Sequence, residues 1–278
     1  MTNWFLIRYL YVNQIINLFS GYLQESSLEC YHPSNLINTT LPNLPEDLFS
    51  PIGHWLDGKL TVCGNQNNCY QLQKFPDRFE WSLNYNPAAY IRQSTTKVLT
   101  SKLDWHLYSL DGRDIIIYDR MKQKSQVIKD AFEEYMEDLC AFITNDDTIH
   151  AITSENWYQC KRGQKCAKHE IELKFTKPEC LKFAEDQVLV LDNDEAFLCH
   201  DLECELLEDY AHTKDASSQI TELDEIPTVL GGNDVEVELI YLDKNGSIDE
   251  IKTAKNFLRN PRKQFAIILV PQSYFAEF

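Results

Sequence analysis

The sequence lacks the short motifs that announce the commoner enzyme chemistries. It holds no Gly-x-Ser-x-Gly elbow, no His-Glu-x-x-His, no Gly-x-x-x-x-Gly-Lys-Ser/Thr and no Gly-x-Gly-x-x-Gly, which removes the usual support for hydrolase, zinc-protease and nucleotide-binding readings. Positive charge is also scarce: 26 Lys and Arg stand against 43 Asp and Glu, a formal charge of −17 at pH 7 with His neutral. Such a surface repels a phosphate backbone, so nucleic acid is not expected as a partner. The local basic strip from Lys252 to Lys263 reads as a solvated face. No apolar run is long enough to cross a bilayer as a helix. Residues 9–23 are uncharged, but Asn13, Gln14 and Asn17 interrupt them. With Arg8 the only charge in residues 1–24, this end reads as a secretory leader, or a disordered or first-strand segment, over residues 1–18, followed by one domain over 19–278. Long Ala- and Leu-rich amphipathic stretches are also scarce, which argues against a helical fold.

What is present points to strands. Hydrophobic residues make up 44% and aromatics 12%, enough apolar material to bury a core and too much for a disordered chain. Short β-branched and aromatic runs bounded by Asp, Asn, Gly or Pro occur at residues 60–63, 114–118, 140–144, 188–191, 235–241 and 265–270. Residues 127–138 and 247–258 are the two helix candidates, as outer connections. Two sequons in turn-like contexts, Asn38-Thr39-Thr40 and Asn245-Gly246-Ser247, make Asn38 and Asn245 glycosylation candidates and agree with export.

The nine cysteines carry the clearest pattern. Three pairs, Cys63 with Cys69, Cys160 with Cys166 and Cys199 with Cys204, each sit in a strand, polar turn, strand context. A hairpin of that size brings its flanking Cα atoms to disulfide distance, so three local staples are expected. Zinc is the competing reading, but structural zinc takes pairs spaced two to four apart and needs four converging ligands. Cys140 and Cys180 each open a repeat and are placed to face each other between neighbouring units, leaving Cys30 free or paired with another chain. Aligning the turns at Cys63-Gly64, Asp111-Gly112, Cys160-Lys161, Cys199-His200 and Gly231-Gly232 gives steps in the range of propeller blades.

Two stretches resemble a known repeat. Gly53-His54-Trp55-Leu56-Asp57-Gly58-Lys59-Leu60-Thr61-Val62-Cys63-Gly64-Asn65 and Ile226-Pro227-Thr228-Val229-Leu230-Gly231-Gly232-Asn233 are similar to Kelch units, with Gly64, Gly231 and Gly232 at the turn-glycine positions. Trp81 and Arg92 resemble the Trp closing one unit and the Arg opening the next. The resemblance implies an all-β, single β-propeller of four-stranded blades. Six blades are expected, a five-bladed ring or an open array being the alternatives. The lone strand at residues 265–271 would supply the innermost strand of the first blade and close the ring.

No set of residues announces chemistry. The seven histidines, at 32, 54, 106, 150, 169, 200 and 212, are spread along the chain and read as separate surface or core residues. Asp192-Asn193-Asp194-Glu195 offers oxygen ligands for calcium without the EF-hand pattern, so a polar β-turn is the better reading. Asp138, Asp146, Asp147 and Glu155 could pair for glycoside chemistry only at separations the sequence does not fix. The expected function is therefore an extracellular scaffold binding a protein or glycan on its loop face, without catalysis, cofactor or metal. A sialidase- or oxidase-like carbohydrate-active propeller is the alternative.

Overall fold

The structure, a computed structural model, describes residues 14–20, 28–31, 38–46, 52–56, 59–63, 69–83, 95–100, 106–119, 121–136, 138–182, 187–193, 195–208, 210, 218–223, 226–231, 237–242, 248–254 and 265–271. Every regular element among them is a strand. Sheet A takes β1 (Gln14–Ser20), β2 (Leu28–Tyr31) and β3 (Asn38–Thr40), and sheet B takes β4 (Ile52–Leu56), β5 (Lys59–Cys63), β6 (Cys69–Lys74) and β7 (Phe79–Leu83). Sheet C holds β8 (Thr95–Thr100), β9 (His106–Asp111), β10 (Asp114–Asp119) and β11 (Lys124–Ile128), and sheet D holds β12 (Cys140–Ile143), β13 (Ile149–Ile152), β14 (Asn156–Cys160) and β15 (Ala167–Glu170). Sheet E follows with β16 (Glu179–Lys182), β17 (Gln187–Asp192), β18 (Glu195–His200) and β19 (Glu203–Leu206). Sheet F has β20 (Ser218–Leu223), β21 (Ile226–Gly231), β22 (Val237–Leu242) and β23 (Ile248–Ala254), and β24 (Phe265–Pro271) returns to sheet A, where it pairs antiparallel along the whole of β1.

Five sheets, B to F, are thus meanders of four consecutive antiparallel strands, while sheet A joins the two ends of the described chain. The first strands lie inward and side by side: β24 is next to β4, β4 to β8, β8 to β12, β12 to β16 and β16 to β20. Meanders packed face to face in succession, each with its first strand inward, form a β-propeller. The β1 strand runs across residue 18, where the sequence reading set its boundary.

Burial explains why the strands take this layering. The middle strands are buried on both faces, as β9, with every residue buried, and β17, whose Val188 to Asp192 are all buried, illustrate. The fourth strands are solvent-facing: β15 and β11 are largely exposed. A strand covered by a neighbouring sheet on each side reads as a continuous apolar run, whereas an outer strand does not. Each of the six apolar runs picked out in the sequence coincides with a strand, apart from Thr144, just past β12, and Val235 and Glu236, which lie outside the described residues.

Both helix candidates are corrected. Within residues 127–138, Val127 and Ile128 finish β11 and the remaining described residues run as an irregular connector; within residues 247–258, Ile248–Ala254 form β23 and the rest lie outside the described residues. Cross-strand pairing of β23 with β22 and burial of Ala131, Phe132 and Met136 outweigh local helix propensity. The connector is tied by backbone bonds from the Phe132 N–H to the Arg113 carbonyl (3.1 Å) and from the Met136 N–H to the Gly112 carbonyl (3.1 Å). Gly112 has a φ of +60°, and a Cβ there would lie 2.6 Å from the Tyr135 ring, so this turn of sheet C requires glycine.

The connectors repeat a device invisible in the cysteine alignment. Phe132 leaves sheet C and meets Tyr158 of β14 edge to face at 5.4 Å. Phe175, whose N–H bonds the Ser154 carbonyl at 2.9 Å, leaves sheet D and meets Phe197 of β18 at 5.2 Å. Tyr210 leaves sheet E and is buried with Val229 of β21 and Ile240 of β22. Each wedge plugs the edge at which the second and third strands turn, and packs against the next sheet.

The turn alignment is also corrected. Cys63, Asp111 and Gly231 end second strands, but Cys160 and Cys199 lie at the ends of third strands. Measured between second-strand ends, Cys63, Asp111, Ile152, Asp192 and Gly231, the repeat steps are 48, 41, 40 and 39 residues. Gly64 and Gly232 lie outside the described residues, as does Asn245. Asn38 begins β3, a strand rather than a turn.

Candidate functional site

Four cystines are formed: Cys63–Cys69, Cys140–Cys180, Cys160–Cys166 and Cys199–Cys204. They pair all eight cysteines singled out for disulfides. Cys63–Cys69 joins second to third strand in sheet B, Cys199–Cys204 joins third to fourth strand in sheet E, and Cys160–Cys166 ties the end of the third strand of sheet D to the residue just before its fourth. Cys140–Cys180 differs in kind, tying the innermost strands β12 and β16 of two neighbouring sheets. The side chain of Cys30, in β2, is not among those described.

Beyond that inter-sheet cystine, sheets D and E part to leave a cleft of about 360 Å³. Strand alternation builds it. Two residues on from Cys140 comes Phe142, and two on from Cys180 comes Lys182, so both turn toward the gap that the cystine bridges. The same period brings in Trp157 with Gln159 from β14, and Thr148 with His150 from the start of β13. Sheet E closes the other wall with Val188, Cys199 and the turn residues Asp201 and Leu202. The cleft opens at the edge carrying the first-to-second and third-to-fourth strand turns.

Its aromatic floor is locked. His150 stacks on Phe142 with ring centroids 4.8 Å apart and planes 11° apart, and Trp157 stands edge-on to both. Trp157 donates its Nε1–H to His150 Nδ1 at 2.9 Å. Burial pushes the imidazole down to a pKa of about 4, so His150 is neutral at physiological pH, with Nδ1 as the acceptor and its proton on Nε2. At the rim Asp146 accepts from the Thr144 hydroxyl, the Thr148 hydroxyl (3.0 Å) and the Thr148 N–H (3.3 Å). Those bonds hold its carboxyl below the ordinary range, the Thr144 bond most of all.

The acidic residues weighed for glycoside chemistry do not converge. Asp146 and Asp147 sit in the β12–β13 turn, whereas Glu155 sits in the β13–β14 turn at the far end of the sheet and pairs with Lys174 at 3.1 Å. Asp138 lies in the connector before β12. Asp192 is a structural acceptor, taking the Thr176 N–H at 2.7 Å and the Lys177 N–H at 2.6 Å, and Asn193 turns with a φ of +53°. That is the polar turn; Asp194 lies outside the described residues. Among the described histidine side chains, only His150 lines this cleft. His106 lies at the C–D boundary, where Arg162 of sheet D reaches its Nε2 at 2.7 Å.

Sequence reasoning looked to the central mouth and the loops, and missed a cleft between two sheets. Its one legible signal was Trp157-Tyr158-Gln159-Cys160-Lys161, read as a repeat rather than a wall.

No family model matches the sequence, and no curated protein matches it. Among solved structures, a functionally unknown protein from Desulfotomaculum acetoxidans DSM 771 is similar at 12% identity, over 89% of this chain and 82% of that one, with a TM-score of 0.56. The likeness is one of fold. No helix among the described residues is long and apolar enough to cross a membrane.

Proposed function

We propose that this chain is an extracellular Kelch-like propeller of six blades that binds a protein or glycan ligand and performs no catalysis. The observation that carries the reading is the cleft between sheets D and E: an aromatic floor and a polar rim, held between sheets that a cystine ties together. Preformed walls lower the ordering cost of binding, which favours recognition. Export is supported by the four cystines, since disulfides persist in oxidising compartments. The Kelch assignment is supported by Cys63, which Gly64 follows, and Gly231 both ending second strands. Six blades closed into a ring are supported by sheet A, in which β24 takes the innermost place beside β1.

Non-reducing peptide mapping of the protein recovered from culture medium, paired with a glycan array and a search for a cross-linked protein partner, tests this reading. Four linked pairs and a saturable partner are expected. Reduced thiols throughout, or turnover of a glycoside by the purified chain, would overturn it.

A further inference from the structure

We infer that the cleft between sheets D and E is a subsite for one ring of a neutral saccharide, an inference that rests on the binding reading above. The argument begins with charge. In a chain of net charge −17, the rim of this cleft carries Lys161 and Lys182 against Asp146 and Asp201, and His150 adds no charge. Two ammonium and two carboxylate groups cancel, so the site has no sign with which to select an ion. A balanced mixture of strong donors and strong acceptors matches a ligand whose groups are each both donor and acceptor, which is the property of a sugar hydroxyl. Gln159 adds an amide with both functions on the same rim.

The floor supplies the second half of the recognition. Phe142, Trp157 and Val188 form an apolar base, suited to the C–H face of a pyranose. Its rings are immobilised by each other, by the Trp157–His150 hydrogen bond and by the surrounding core of Ile152, Val190, Phe197 and the cystine sulfurs. A volume of about 360 Å³ is at the small end of ligand pockets, right for one ring with the rest of a glycan leaving through the open edge. The Asp146 carboxylate is aimed by three bonds from the Thr144 and Thr148 groups, and a carboxylate so held still has a lone pair to offer.

The test uses the full chain and saturation-transfer NMR with methyl glycosides of glucose, galactose, mannose and N-acetylglucosamine, with methyl glucuronide as the acidic comparison. At least one neutral glycoside should bind, with the strongest saturation on ring C–H protons. Gln159→Leu and Lys182→Met should each weaken it about tenfold, the loss of one strong hydrogen bond, while Lys122→Met on the sheet C surface leaves it unchanged. Variants are accepted when the peptide map and melting temperature match the parent. Binding of the glucuronide alone, abolished in Lys161→Met and Lys182→Met, would overturn the neutral-sugar inference in favour of an anion site. A glycoside held equally well by parent and cleft variants would overturn the cleft assignment and leave the binding reading standing. Absence of any glycoside binding alongside a saturable protein partner would sink the saccharide inference only, and turnover of a glycoside would sink the scaffold reading instead.

Discussion

Sheet D has two neighbours and meets them differently. Against sheet C the contact is filled: Tyr108, Leu110, Ile115 and Phe132 pack with Ala151 and Tyr158 in one continuous apolar cluster, and Arg162 bridges to His106 at the edge where a cleft could have opened. The connector adds a polar clamp, since Glu134 accepts from the Tyr158 hydroxyl at 2.7 Å and from the Asn156 amide at 2.9 Å. Against sheet E the same wedge is present in Phe175, but the opposite edge stands open, and Cys140–Cys180 crosses between the innermost strands. Packing holds one interface; a covalent bond helps hold the other and leaves room beside it. A propeller can therefore place a pocket between sheets where a cystine substitutes for side-chain volume.

The wedges offer the largest break of that comparison. Phe132→Ala removes a fully buried ring from the filled interface and should cost about 3–5 kcal/mol, read as a shift of the denaturant midpoint at constant slope. Phe175→Ala should fall at the lower end of that range, because sheets beside an open cleft can close on the void more freely. Equal losses would mean that the cleft confers no extra compliance. The cystines come next. Replacing Cys140 and Cys180 by Ala frees a loop of 40 residues and should cost about 4 kcal/mol, against about 2 kcal/mol for Cys160 and Cys166, six residues apart, by loop-closure entropy. If the short staple proved the costlier, the inter-sheet role of Cys140–Cys180 would be wrong.

Much of this was legible in the sequence, for identifiable reasons. The strands announced themselves because buried middle strands must be apolar and β-branched, as in Val188 to Leu191, and the hairpin staples because spacing limits which cysteines can meet. The pairing of Cys140 with Cys180 followed from each opening a repeat. The wedges were not legible: Phe132, Phe175 and Tyr210 sit in irregular connectors with no period, and residues 127–138 have helix-like composition that tertiary contacts override. The cleft was missed for a related reason. Its residues come from β12, β13, β14, β16, β17 and β18 and from the turns between them, and only the face-to-face packing of two sheets reveals that Phe142 and Lys182 share a gap.

The two histidines sharpen the comparison with smaller effects. Burial holds His150 down to a pKa of about 4, below the ordinary 6.5. The unfolded chain therefore binds the extra proton between those values. The contribution of His150 to stability is complete above pH 6.5 and is lost as pH falls from 6.5 through 4. The denaturation midpoint should decline across that window, and His150→Gln should flatten the decline. Trp157→Phe, which deletes the donor to Nδ1, should move the imidazole titration upward in NMR.

At the filled interface His106 is also held below its ordinary value, by burial first and by the Arg162 guanidinium second, with Asp119 opposing both. Arg162→Met keeps the aliphatic stem and removes the charge, so the pKa of His106 should rise, burial still working against the charged form and Asp119 for it. Unlike His150, whose own sheet supplies its donor, His106 depends on a residue from the neighbouring sheet. Its titration thus reports whether sheets C and D stay closed at their edge. A rise in Arg162→Met with the His150 titration unmoved would show that the two faces of sheet D respond separately; a shift at both would mean that the closed edge and the open cleft are one coupled unit.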